Sequence, residues 1–392
     1  MNLPLGFGYA STYAGIRQVE KDDLALIVSG LPANAAAVFT QNQVQAAPVK
    51  LSRRHLKLSK GLVGAVLVNA GNANCATRTG DAVALATCKA AAKALRLPVP
   101  QVLPASTGVI GVEMDGRKIV DALPGLIGAL STDRFADVAN AIMTTDLVPK
   151  TAFAERKLRR ATIRVAGMTK GSGMIQPRMA TTLGFVMTDA EIPVAPLRAM
   201  LKRTVERSYN RLSVDGDTST NDTLLLLANG ASGIRPDPKE FPKVEEAVAQ
   251  VMENLAMAIA RDGEGARKLV TIVISGAKTN DGAAQMARAI ANSPLVKTAV
   301  AGSDPNWGRI LSAAGNSGVT FDPSKTDIHM QNVLVCRGGL AAPFSEAELK
   351  QKLDAPECEI RLTIRGTGKG ATRFWTCDFT EGYIRINASY RT

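Results

Sequence analysis

The chain has 392 residues, 46% of them hydrophobic and 21% charged, with 34 glycines and 19 prolines scattered along it. This excludes a stapled mini-protein, a collagenous chain and a disordered one, and the length suggests two domains or three. Lys plus Arg exceed Asp plus Glu by 47 to 35, a formal charge of +12, which admits nucleic acid, an anionic surface or small anionic substrates as partners.

The N-terminus, Met1 to Phe7, lacks the basic start and apolar stretch of a secretion signal. The longest uncharged apolar run, residues 24–40, is broken by Gly30, Pro32 and Asn34, so no membrane span is expected and a cytoplasmic protein is. A first basic cluster follows at Lys50, Arg53, Arg54, Lys57 and Lys60. Residues 62–68 (LVGAVLV) predict a buried strand and residues 81–97 a helix. After a proline-containing loop at 97–104, Ser106-Thr107-Gly108-Val109-Ile110-Gly111 reads as a glycine turn.

Residues 134–143 predict a second helix, and Arg156, Lys157, Arg159, Arg160 and Arg164 make a second basic cluster. Neither cluster is interleaved with aromatic residues, which are only 4% of the chain, so nucleic acid is not the expected partner. Helices are predicted at 197–209 and 244–261, the latter stopped by Asp262-Gly263. Strands follow at 268–275, 333–336 and 360–364. Strands and helices are mixed throughout, which gives an α/β or α+β class. Cys75, Cys88, Cys336, Cys358 and Cys377 are odd in number and contain no Cys-x-x-Cys pair, so they predict small buried residues in a reducing compartment.

Only His55 and His329 occur in the chain, which nearly exhausts imidazole-activated hydroxyls and multi-histidine metal sites. The stretch 170–190 (KGSGMIQPRMATTLGFVMTDA) then acquires meaning, because a flexible loop runs through Ala180 and Thr181 into an apolar strand. A threonine at a chain N-terminus uses its own α-amine as base, and an amine of pKa about 8 suits that work. Thr181 can free that amine by attacking the Ala180 carbonyl, and the attack needs donors for an oxyanion. The Thr107 hydroxyl and Gly108 N–H are candidates, a simple turn being the plainer reading of that segment.

With those motifs in hand, the sequence resembles the ornithine acetyltransferases of arginine biosynthesis, the bifunctional ArgJ-type proteins. The resemblance runs through NAGNAN at 69–74, the 106–111 segment, AIMTTD at 141–146, the 170–190 segment, SVDGDTSTND at 213–222, DGEGA at 262–266, GSDPNWGR at 302–309 and NASYRT at 387–392. It implies two αββα-type sandwich domains. It implies cleavage between Ala180 and Thr181, giving an α chain of residues 1–180 and a β chain of residues 181–392, assembled as two of each. It assigns Thr181 as nucleophile, Thr107 and Gly108 as oxyanion hole, and Lys170, Thr181, Glu264, Asn387 and Thr392 as substrate contacts. The implied reaction moves acetyl from N2-acetylornithine to glutamate, with no metal or cofactor; acetyl-CoA enters only as a further acetyl donor.

Three departures bear on substrate: Leu147 where a threonine is usual, Arg178 after Pro177, and Cys75-Ala76-Thr77 after Asn74. Asp215, Asp217 and Asp222 depart from EF-hand spacing and predict a hydrogen-bonded turn. Arg309 reads equally as an anion holder or part of a structural turn, while Gly366 to Gly370 lacks the hydroxyl residue of a phosphate loop. Two other functions remain open: an N-terminal-nucleophile amidohydrolase, aminopeptidase or acyltransferase with another N-acyl substrate, and a basic binding module without chemistry.

Overall fold

The structure, a computed structural model, describes residues 2–159, 161–176, 182–366 and 368–389. Its first sheet is built from β1 (Phe7–Thr12), β2 (Leu24–Phe39), β3 (Leu62–Asn72), β4 (Val102–Val109), β5 (Lys150–Lys157), β6 (Thr162–Lys170), β7 (Leu183–Thr188) and β8 (Thr223–Ala228). The order is β4-β3-β2-β8-β7-β6-β5, with β1 also on β2; β3/β4 and β7/β8 are parallel and the other pairs antiparallel.

The broken apolar run at 24–40 is thus one long strand. Its interruption is physical: the pairing of β2 with β3 slips between Val28 and Ala33, where Pro32 has no N–H to donate and the Gly30 N–H turns to Gly6 O at 2.9 Å. The first half of β2 pairs with β1 and β3, and the second half with β8. This break lets one sheet fold over itself.

Alternate side chains point to opposite faces of a strand, and the burial follows that rule. Ala25 and Ile27 share a core with Val66, Val68, Phe185, Met187, Leu225 and Leu227, so the two halves of the sheet pack face to face. Helix α4 (Phe135–Ala141) plugs this interior with Phe135 and Val138. Leu24 and Leu26 face outward onto α1 (Ala47–Leu58), α2 (Gly80–Leu95) and α3 (Gly116–Gly128). On the opposite outside, Leu224 and Leu226 face α5 (Val194–Arg207) and α6 (Phe241–Arg261). Helix α6 buries Val244, Val248, Val251, Leu255 and Ile259, a 3.6-residue stripe. These four layers are the expected αββα sandwich.

The second sheet contains β9 (Leu269–Ala277), β10 (Thr326–Met330), β11 (Val333–Arg337), β12 (Leu340–Ala341), β13 (Glu357–Ile364) and β14 (Gly370–Cys377), in the order β12-β11-β10-β13-β9-β14. Helices α7 (Asn280–Ala291), α8 (Pro294–Ala301), α9 (Trp307–Gly315) and α10 (Glu346–Leu353) pack on one face. Along β13, Cys358, Ile360, Leu362 and Ile364 are buried, while Glu357 and Arg361 are exposed. The chain thus carries two α/β bodies, with α7 to α10 on one face of the second sheet and α6 of the first body meeting β9 and β14 from the other side. Leu269, Trp375 and Cys377 join the α5–α6 core of the first body. Helix α11 (Glu381–Ser389) closes the described chain.

Every sequence-expected strand and helix is found within a few residues of its predicted ends. The five cysteines are buried and free. Gly366 and Gly370 flank the turn between β13 and β14, and Arg309 lies in the first turn of α9, where its Nη1 donates to Leu295 O at 3.0 Å. That contact favours the structural reading of Arg309.

Candidate active site

The C-terminal ends of β3, β4 and β6, the N-terminal end of β7, and the end of α6 open onto one cavity of about 130 Å³. At its wall β3 and β4 come unusually close. Gly71 and Gly108 are paired and both have positive φ, +108° and +129°. A Cβ on Gly108 would sit 2.2 Å from the Gly71 carbonyl carbon, so only glycine permits this approach. The 106–111 segment is therefore largely strand rather than turn, and its last paired residues present Thr107 and Gly108 to the cavity.

Asparagines fix that wall. Asn69 Oδ1 accepts from Ser106 Oγ at 2.5 Å, and Asn69 Nδ2 donates to Asn72 O at 2.8 Å. Asn221 Nδ2 donates to both Ala73 O and Ser106 O, at 2.6 and 2.8 Å, tying the β8 approach to β3 and β4. Buried polar groups satisfied in this way make a rigid frame.

Lys170 ends β6, is buried, and donates from Nζ to Thr107 Oγ1 at 3.3 Å. Behind it lies a buried charge network. Lys150 Nζ bridges Asp146 at 2.7 Å and Asp262 at 2.5 Å, and Asp146 also accepts the Gly171 N–H at 2.7 Å and the Thr144 N–H at 3.0 Å. Burial opposes charge on Asp146, but Lys170, Lys150 and the Gly171 N–H outweigh it and hold the carboxyl below the usual range. Burial lowers the Lys170 ammonium, which Asp146, Asp222 and Glu264 partly restore against repulsion from Lys150.

Glu264 follows α6 and faces the loop after β6. Its N–H donates to Ser172 O at 3.0 Å, and a Cβ on Gly173 would lie 2.3 Å from its carboxylate, so Gly173 makes room for it. Asn387 of α11 donates from Nδ2 to Glu264 Oε2 at 2.8 Å. Asp215 accepts the Met174 and Ile175 N–H groups at 2.6 and 2.8 Å and the Tyr383 hydroxyl at 3.3 Å. It is the hydrogen-bonded turn the sequence predicts, and it also anchors α11.

Thr107, Gly108, Lys170, Glu264 and Asn387 thus meet in one cavity. Neither histidine lines it: His55 Nδ1 instead lies 2.7 Å from Val102 O. Ala180, Thr181, Arg178 and Thr392 lie outside the described residues. The neighbour Thr182 is buried and lines the cavity.

Sequence reasoning missed Asp146, Lys150 and Asp262 as a buried network; the Thr-Thr-Asp and Asp-Gly-Glu motifs held their only signal. Asp222 has a further feature that the sequence does not show. This carboxyl is buried in the cavity wall, its Oδ2 has no partner among the described residues, and burial pushes its pKa well up. The Leu147 side chain is 80% exposed and is not among the described residues that line the cavity. Its N–H donates to Asp262 Oδ2 at 3.1 Å.

Comparison with known proteins agrees with this geometry. The ArgJ family model matches residues 8–392. The arginine biosynthesis bifunctional protein ArgJ of Thermus thermophilus is 48% identical over 393 residues, covering 100% of both chains. That of Bradyrhizobium diazoefficiens is 44% identical over 401 residues, covering 100% of this chain and 96% of its own. The crystal structure of the Bacillus halodurans arginine biosynthesis bifunctional protein argJ superposes with a TM-score of 0.51 at 36% identity, over 53% of this chain and 98% of that one. A match along nearly the whole sequence, on a fold that gathers the same motifs into one cavity, places this chain in the ArgJ family.

Proposed function

We propose that the protein is a glutamate N-acetyltransferase of arginine biosynthesis, moving acetyl from N2-acetyl-L-ornithine to L-glutamate through an acetyl-threonyl enzyme. The observation that carries the reading is the convergence of Thr107, Gly108, Lys170, Glu264 and Asn387 on one histidine-free cavity beside Thr182.

The Thr181 hydroxyl first attacks the Ala180 carbonyl, and hydrolysis of the resulting ester frees the α-amine and divides the chain into residues 1–180 and 181–392. That amine then takes the hydroxyl proton as oxygen attacks the acetyl carbonyl carbon. Thr107 Oγ1–H and Gly108 N–H hold the oxyanion. The C–N bond breaks, ornithine leaves with the proton, and acetyl remains as an ester on Thr181. Glutamate's amine then attacks the ester and reverses the sequence. Lys170 faces the substrate carboxylate, and Glu264, steadied by Asn387, faces the terminal ammonium of ornithine; Thr392 joins them from the C-terminal segment.

The chemistry needs no metal or cofactor, and acetyl-CoA serves as a second acetyl donor. Two α and two β chains assemble into a heterotetramer, and the protein works in the cytoplasm. No helix among the described residues is long and apolar enough to cross a membrane. The direct test is a denaturing gel. Wild type should give two fragments and Thr181→Ala one intact chain; an uncleaved, active wild type would overturn the mechanism.

A further inference from the structure

The acyl-transfer site does not use the first basic cluster of the sequence, and the fold gives that cluster a shape. Arg53, Lys57 and Lys60 are spaced by four and three residues, so α1 and its end carry them on one side. They border a groove of about 450 Å³, with Arg198 of α5 also on its rim. The floor is apolar: Ala35, Ala37 and Phe39, alternate residues of β2, together with Leu56. Such a volume suits a small ligand.

Charge marks the groove as well. Among the described residues no carboxylate pairs with any of the four cations, whereas Lys50 on the same helix is paired with Asp81 at 3.3 Å. Arg53 is already oriented, since its guanidinium lies 5.3 Å from the centre of the Phe39 ring and its Nη2 donates to Thr40 O at 3.0 Å. Thr40 also reaches the acyl-transfer cavity, because its N–H donates to Asp222 O at 3.0 Å and its hydroxyl to Ser219 O at 2.6 Å.

We propose that this groove binds a small phosphorylated ligand of nucleotide size. Arg53, Lys57, Lys60 and Arg198 take its phosphates, and Phe39 and Leu56 take its ring or alkyl part. Four cations with no carboxylate partner among the described residues match a di- or triphosphate better than a single carboxylate, and guanidinium forks suit phosphate oxygens. One aromatic in the groove is too little for a stacking track along a nucleic acid strand. The phosphates belong either to a free nucleotide or to the nucleotide end of acetyl-CoA; only the second source rests on the acetyl-CoA activity proposed above.

The test is titration calorimetry of the full chain with ADP, 3′-phosphoadenosine 5′-phosphate and inorganic pyrophosphate, each at low and high salt. Wild type should bind at least one of them, more weakly at high salt. The Lys57→Glu/Arg198→Glu variant should bind at least about tenfold more weakly while still transferring acetyl from acetylornithine. Should that variant fold poorly, Lys57→Ala with Lys60→Ala should show the same direction of change. Competition by 3′-phosphoadenosine 5′-phosphate against acetyl-CoA alone identifies the acetyl-CoA source; binding of ADP without such competition identifies a free nucleotide. No binding to wild type, or equal binding to wild type and both variants, would overturn the site. Loss of acetyl transfer from acetylornithine in wild type as well would count against the enzymatic reading and leave the binding result standing.

Discussion

Asp222 in the cavity wall and Asp146 behind it carry opposite electrostatic signatures. Asp146 is held below its ordinary pKa by Lys170, Lys150 and a backbone N–H against the effect of burial. Its folded value lies below its unfolded one, so its stabilisation is complete above about pH 4 and drains away as pH falls. Asp146→Asn should cost about 3 kcal/mol at pH 7, because Lys150 and Lys170 lose a buried counter-charge. Asp222 is raised by burial, so its contribution is complete below its unfolded value near pH 4 and is lost as pH rises through its folded one. Asp222→Asn should therefore melt no lower than wild type at pH 8 and lose any advantage near pH 4. Calorimetry across pH checks both signs. Gly108 is bound by sterics instead: with φ at +129° and no space for a Cβ, Gly108→Ala should lower acetyl transfer by roughly 100-fold or more by displacing an oxyanion donor. Thr107, Gly108, Lys170, Glu264 and Asn387 were legible in the sequence as motif residues. Asp222 was not, because burial of a carboxyl is a property of the packing around it.

At the scale of elements, the proposed cut falls between two neighbouring strands. β6 and β7 pair antiparallel from Val165↔Thr188 to Lys170↔Leu183, and β7 pairs with β8, which itself pairs with β2. Cleavage after residue 180 therefore leaves both pieces woven into one sheet. Gel filtration under native conditions should give a single species containing both fragments, and separate elution of the two would contradict the fold. The longer elements were readable from their periodicity, as in the α6 stripe. Residues 24–40 were harder, because Gly30 and Pro32 look like an interruption until the sheet is seen to fold at that point. The 106–111 segment reads as a turn for a similar reason: its glycines serve close strand approach, which needs the partner Gly71 in place.

For the whole molecule, the two sheets share a core through Leu269, Trp375 and Cys377, and the cavity draws on both sides of the proposed cut. The proposed substrates carry carboxylates, and the chain's net excess of twelve positive charges favours the approach of anions. The scarcity of histidine was the whole-chain signal most informative about chemistry, and the cavity agrees, since neither imidazole lines it. The most direct measurement is mass spectrometry of the peptide beginning at Thr181 after brief incubation with N2-acetylornithine. The peptide should carry one acetyl group that glutamate or ornithine removes much faster than water does. An unmodified Thr181 in active enzyme, or discharge by water as fast as by either amino acid, would contradict an acetyl-threonyl transferase.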